Sequence, residues 1–272
     1  MTKNSSRLLA AAAGLVSSAI LVAALVTPAA VQAAAPDQKV LNIYNWSDYI
    51  GDDTLKNFEK ETGIKVNYDT YDSNEILHSK LIAGKTGYDI VVPSAHFAKM
   101  QLEAGLFQKL DRSKLGNWGN LDPAVLQMMS RFDPGNQYLV DWMWGFITVG
   151  INTGKVKQAL GGLPMPANPW DLVFDPKYTS KLKSCGISYL DSPSELMPIA
   201  RGYVGKPQYS RNPVDYAAAG EMLKKVRPDI GRFSSSGYIN DLAAGSLCAV
   251  LGYSGDINIA RNRAIKDKTG TR

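Results

Sequence analysis

Val40 to Pro93 reads VLNIYNWSDYIGDDTLKNFEKETGIKVNYDTYDSNEILHSKLIAGKTGYDIVVP, three apolar runs separated by two polar, helix-like stretches. VLNIYN (40–45) has the β-branched and aromatic content of a strand. Asp53 then opens a helix that carries Leu55 and Phe58 and stops at Gly63. IKVNYDTY (64–71) predicts a second strand, and Ser73 caps a helix with Ile76, Leu77, Lys80 and Leu81 on helical spacing. Tyr88 to Pro93 predicts a third strand, and Phe97 to Glu103 a third helix. Strands that alternate with helices this regularly build a parallel sheet with helices on its faces, so the fold class is α/β.

Further along, residues 111–140 are less regular, with one helix expected near Pro123–Met129. WMWGFITVGIN (142–152) predicts a long apolar strand, and LPMPANPW (163–170) a proline-rich break. The alternation then resumes: a strand at 185–190, a helix from Pro193, helices at 215–226 and 238–243, a strand at 248–252 and a helix from Asp256. The expected organisation is two α/β lobes, 34–143 and 144–272, the second opening with a hinge strand at 144–152. The end of the chain is expected to return toward the first lobe.

The first 33 residues carry Lys3 and Arg7, then an Ala/Leu/Val stretch, then Val31-Gln32-Ala33, the layout of an export signal cleaved near Ala33. A retained membrane anchor is the alternative. Cys185 and Cys248 are the two cysteines of the chain, each at the start of an apolar run. In an oxidising compartment such a pair forms a disulfide, which neighbouring parallel strands would allow; two buried free thiols are the alternative. The formal charge of +5 shrinks when Lys3 and Arg7 are removed, and the remaining basic residues are interspersed with acids. A nucleic-acid or lipid surface is therefore not expected.

In an open parallel sheet, ligands bind beyond the carboxyl ends of the strands. Those ends are Trp46-Ser47-Asp48-Tyr49, Ser94-Ala95-His96-Phe97, Asp191-Ser192-Pro193-Ser194-Glu195 and Tyr253-Ser254-Gly255-Asp256. Acids and aromatics together suit an organic ammonium ion: carboxylates accept its N–H bonds, and ring faces attract the cation. Helix capping by Ser and Asp is the plainer reading of any one of these ends.

LNIYNWSDYI, FEKETGIKV, YDSNEIL, DIVVPSA, KLKSCGIS, YINDLA and GYSGD, in this order from about residue 40, resemble the periplasmic polyamine-binding proteins of ABC importers, most closely the putrescine-binding branch. The resemblance implies a two-lobed periplasmic-binding-protein fold of type II whose cleft closes on a linear polyamine. It places Trp46, Ser47, Asp48, Tyr49, Ser94 and Phe97 on the first wall, and Glu195, Ser235, Tyr253 and Asp256 on the second. It also implies a Cys185–Cys248 disulfide, a periplasmic location, a monomer, an inner-membrane ABC permease as partner, and no cofactor. Two positions depart from the pattern: Tyr253 stands where the putrescine binders carry Trp, and His96 where they carry a small hydroxyl residue. The pattern also breaks off at Lys268–Arg272, whereas family members continue, so an incomplete first lobe is expected.

Other motifs carry less. Ser79 to Thr86, SKLIAGKT, lacks the first glycine of a phosphate-binding loop and runs along a helix. His78 and His96 are not spaced as a metal pair, and no nucleophile elbow is present. The expected function is a solute receptor that binds, closes and delivers without covalent chemistry. A sensor of the same fold, or an exported hydrolase with a carboxylate pair, are the alternatives.

Overall fold

A computed structural model describes residues 39–267. The expected export signal, its cleavage near Ala33 and the last five residues fall outside them. Among the described residues, seven strands run β1 (Val40–Trp46), β2 (Lys65–Tyr71), β3 (Ile90–Val91), β4 (Ile147–Ile151), β5 (Ile187–Tyr189), β6 (Arg232–Phe233) and β7 (Ala249–Tyr253). Eleven helices accompany them: α1 (Thr54–Thr62), α2 (Asn74–Ala83), α3 (Ala95–Glu103), α4 (Pro123–Met129), α5 (Thr153–Leu160), α6 (Asp171–Phe174), α7 (Pro176–Leu182), α8 (Pro193–Tyr203), α9 (Pro213–Val226), α10 (Tyr238–Ala243) and α11 (Ser254–Lys266).

The strands form two sheets. The first has the order β2-β1-β3 and is wholly parallel, with Val40 opposite Lys65, Trp46 opposite Tyr71 and Ile43 opposite Ile90. Its helices begin and end close to where the sequence predicts. Gly63 takes the left-handed conformation that ends α1, and the Ser73 hydroxyl accepts from Ile76 N at 3.3 Å to start α2. The buried centre of this unit is small, with Tyr44, Tyr71 and Leu77 at its heart.

The second sheet has the order β4-β7-β5-β6, parallel except for the antiparallel β4–β7 pair. Its core is larger, with Phe174, Leu182, Ile187, Tyr189 and Leu251 among its fully buried side chains. β5 and β7 are neighbours, Ile187 opposite Ala249, so the chain just before each strand lies side by side. There Cys185 and Cys248 form a disulfide with their Cα atoms 5.5 Å apart, as the sequence reading expects.

Several elements differ from the sequence reading. The third strand is two residues rather than six; Tyr88 instead stacks its ring on Tyr44 at 4.6 Å. The apolar run 142–152 is a strand only from Ile147. Its partner β7 gives way to α11 after Tyr253, and Ile147 opposite Tyr253 is therefore the last pair the ladder can make. Cys185 lies in a 3-10 turn ahead of β5, and three helices, α5 to α7, flank the stretch read as a proline-rich break. α11 begins at Ser254 with Tyr253 as its cap residue, which puts Asp256 inside the first turn instead of at the helix start. No helix among the described residues is long and apolar enough to cross a membrane.

Candidate functional site

The carboxyl ends of β1 and β7 meet across a cleft of about 2210 Å³ lined by Trp46, Tyr49, Ser94, His96, Glu195 and Tyr253, among others. Trp46, the last residue of β1, is fixed from behind: its Nε1 donates to Val92 O at 2.7 Å and the Tyr71 ring sits 4.7 Å from it. Its ring meets that of Tyr253, the last residue of β7, edge-on at 5.9 Å. A tilted Tyr49 ring stands 6.5 Å from Trp46. Three rings therefore wall one narrow part of the cleft, the arrangement that favours an organic cation.

Two acids stand beside these rings. Asp256 is 3% exposed, and its Oδ2 accepts from the Tyr238 hydroxyl at 2.6 Å. Tyr238 can lie so close because residue 252 is glycine; a Cβ there would stand 2.6 Å from the ring. Asp256 Oδ1 has no partner. Burial pushes the Asp256 carboxyl above the ordinary range, against the pull of the Tyr238 and Tyr49 hydroxyls beside it. Burial and the Asp256 charge likewise raise Tyr49 and Tyr238, so both phenols keep their protons.

Glu195 is the second acid. It sits in the first turn of α8, and its carboxyl is pushed up to about 7, first by burial and then by the charge of Glu75. The Tyr253 hydroxyl is buried without a hydrogen-bond partner, and the Glu195 charge is the leading electrostatic influence on it. A group that donates N–H bonds would satisfy Asp256 Oδ1 and hold Glu195 ionised.

The remaining residues singled out by sequence fall in different surroundings. Asp48 adopts φ 61°, a left-handed conformation that Asp tolerates better than most residues, and pairs with Arg263 Nη2 at 2.8 Å. The Ser47 amide donates to Tyr71 O at 3.1 Å. Ser94 is bound twice to Asn74, its amide donating at 2.9 Å and its Oγ accepting at 3.0 Å. Phe97 is 6% exposed, packed between the rings of His78 and His96 at 5.6 and 5.0 Å. Ser235 is buried and accepts from Asp191 N at 3.1 Å, bracing a loop. Among the described residues, no cluster of three or more His, Cys, Asp or Glu side chains could hold a metal ion.

Sequence reasoning passes over Glu75, an acid of the first wall that reaches the second. Its carboxylate accepts from the hydroxyls of Ser192 and Ser194, the latter at 2.8 Å. The rule about carboxyl ends would find it, because Asp72-Ser73-Asn74-Glu75 comes directly after the end of β2.

A model of the bacterial extracellular solute-binding protein family matches residues 53–270. The chain belongs to that family. Among its relatives, the putrescine-binding periplasmic protein SpuD of Pseudomonas aeruginosa is 52% identical over 87% of this chain and 64% of its own length. The putrescine-binding periplasmic protein PotF of Escherichia coli is 50% identical over 92% of this chain and 68% of its own. This solute-binding chain thus spans about two thirds of the length of both relatives, and a little less in the first. Among solved structures, a spermidine/putrescine ABC transporter protein of Listeria monocytogenes superposes with a TM-score of 0.72 at 30% identity, covering 85% of this chain and 66% of that one. The fold class read from sequence, a periplasmic-binding-protein α/β fold, holds.

Proposed function

We propose that this solute-binding chain takes up a linear polyamine, putrescine foremost, between two lobes built on its two sheets, residues 34–143 and 144–272. The observation that carries the reading is the pair of acid poles joined by rings. Asp256, with one carboxylate oxygen unpartnered, stands at one place, Glu195 at another, and Trp46 and Tyr253 lie at the wall. Each terminal ammonium meets a carboxylate, while the methylene chain lies against the rings. A neutral solute would leave the buried Asp256 charge uncompensated.

Both acids belong to the β5–β7 side, and Trp46, Tyr49 and Asp48 to the other. Ligand contacts from both sides are complete only when the cleft is shut, so ligand shifts the balance toward closure. The closed receptor then serves as the cargo-bearing partner of an inner-membrane ABC permease. The names of its relatives support a periplasmic receptor, and cleavage of the export signal near Ala33 would release it there as a monomer. The walls serve binding alone, and the ligand leaves unchanged.

Titration calorimetry of this chain with putrescine, spermidine, agmatine and 1-aminobutane tests the proposal. Putrescine is expected to bind and 1-aminobutane to bind far more weakly, because it satisfies one pole. Equal affinity for putrescine and 1-aminobutane, or no heat with putrescine, spermidine or agmatine, would overturn the polyamine reading.

A further inference from the structure

Glu75 is held where it is by an unusually firm base. Its helix, α2, starts at Asn74, a fully buried side chain bonded twice to Ser94 at the start of α3. The first turns of the two helices are thereby stapled together, and Glu75 projects from the joint. Across the cleft, Ser192 Oγ donates to the Glu75 carboxylate at 3.1 and 3.2 Å and Ser194 Oγ at 2.8 Å. Ser192 occupies the N-cap position of α8 yet makes no side-chain bond to that helix's amides. A serine in this position ordinarily turns its hydroxyl onto them. This one, 1% exposed, gives it to the opposite wall.

The same contact creates a conflict. Ser194, bonded to the Glu75 carboxylate at 2.8 Å, is the chain neighbour of Glu195 in the first turn of α8, which brings the two carboxylates near one another, and like charges brought together repel. The serine hydroxyls bridge Glu75 without neutralising it. Tyr253, whose hydroxyl has no partner, lines the same cleft as Glu195. A cation between the two carboxylates converts the repulsion to attraction at the position where the two walls touch.

Resting on the polyamine reading, we propose that Glu75 is the residue that couples ligand charge to closure: its carboxylate opposes a shut cleft until an ammonium lies between it and Glu195, and Ser192 and Ser194 then latch it. A second contact, Ser236 Oγ to Asp72 Oδ2 at 3.2 Å, joins the same two sides and would shut along with it.

The test compares the unsubstituted chain with Glu75→Gln and with the Ser192→Ala/Ser194→Ala double variant, using small-angle scattering with and without putrescine together with calorimetry. Gln keeps an acceptor for the serines and removes the charge. Glu75→Gln should therefore be more compact than the unsubstituted chain without ligand, and should bind putrescine about tenfold or more weakly. The double variant should be less compact with ligand and release putrescine faster, with the Glu195 charge untouched. This opposition, more closed but weaker binding, is one that a merely structural role would not produce. Glu75→Gln with unchanged compactness and unchanged affinity would overturn the proposal, as would a double variant that closes and releases normally. Should the unsubstituted chain fail to bind putrescine, the polyamine reading falls, while the ligand-free compactness of Glu75→Gln still decides the role of Glu75.

Discussion

The Tyr238 hydroxyl donates to Asp256 Oδ2 at 2.6 Å and itself accepts from the Tyr253 amide at 2.9 Å, so Asp256 is tied to the end of β7 through one phenol. That relay fixes the carboxylate without consuming it, since Oδ1 stays unpartnered. Its position in the first turn of α11 adds the favourable end of the helix dipole.

Asp256→Asn tests that carboxylate. Asn keeps an oxygen for Tyr238 and removes a buried charge, so the ligand-free melting temperature should hold or rise slightly. Removing one partner of a desolvated charge pair costs about 2–5 kcal/mol, so putrescine affinity should fall by roughly thirtyfold or more. Asp256→Ala differs: it strands the buried Tyr238 hydroxyl and should also cost about 1–3 kcal/mol of stability. Calorimetry and thermal melts on both variants separate the two effects. An Asp256→Asn variant that melts early but binds normally would make Asp256 a structural residue.

Much of this site is legible in the sequence because strand ends are legible. Alternating runs locate β1, β5 and β7 to within a few residues, and the carboxyl-end rule names Trp46, Tyr49, Glu195, Tyr253 and Asp256 along with Ser47, Asp48, Ser94 and Phe97. What escapes is set by long-range pairing. The run 142–152 looks uniformly apolar, yet it is a strand only where β7 lies opposite, leaving Trp144 74% exposed. Phe97 and Ser235 carry suitable side chains at suitable places, but one turns into a cluster of rings and the other into a loop amide. Spacing along the chain does not say which way a side chain at a strand end will turn. Glu75 is reachable by the same rule and needs only the end of β2 to be read.

Glu195 gives the site a pH dependence near neutrality. Its carboxyl titrates at about 7 in the free chain, above its ordinary 4.5. An ammonium beside it favours the ionised form, so binding releases a proton wherever the free residue is protonated. Affinity should therefore climb as pH rises from 5.5 to 8 and flatten above that. Stability of the free chain runs in the opposite sense. A carboxyl whose folded pKa is raised contributes most below 4.5 and loses that contribution as pH rises through about 7. Glu195→Gln should remove both slopes. Calorimetry in buffers of different ionisation heat counts the protons released, and a count of zero at pH 6.5 would rule this account out.

The Cys185–Cys248 bridge joins residues 63 apart in sequence around the second core. On the chain-entropy account, a loop of that size gives about 4 kcal/mol, less where the reduced chain retains structure. Denatured, unreduced protein should show no reactive thiol. Reduction, or Cys185→Ser with Cys248→Ser, should lower the denaturant midpoint with little change in putrescine affinity, because both cysteines lie at the opposite ends of β5 and β7 from the cleft. A large loss of affinity without loss of stability would contradict that placement.

Asp48 should matter less than Asp256, although the strand-end reading singles out both acids. Asp48 already pairs with Arg263, and both side chains remain more than a third exposed, at 36% and 38%. Exposed pairs of this kind contribute about 0–1 kcal/mol and are screened by salt. Asn tolerates the left-handed backbone that Asp48 adopts, so Asp48→Asn should fold normally. Its effect on putrescine should stay within about fivefold, the equivalent of 1 kcal/mol, and should fade in roughly 0.5 M salt. Arg263→Gln should behave alike, because the two residues act as one contact between the walls. A salt-independent loss as large as that of Asp256→Asn would mean that the Asp48 carboxylate leaves Arg263 and takes the ammonium itself.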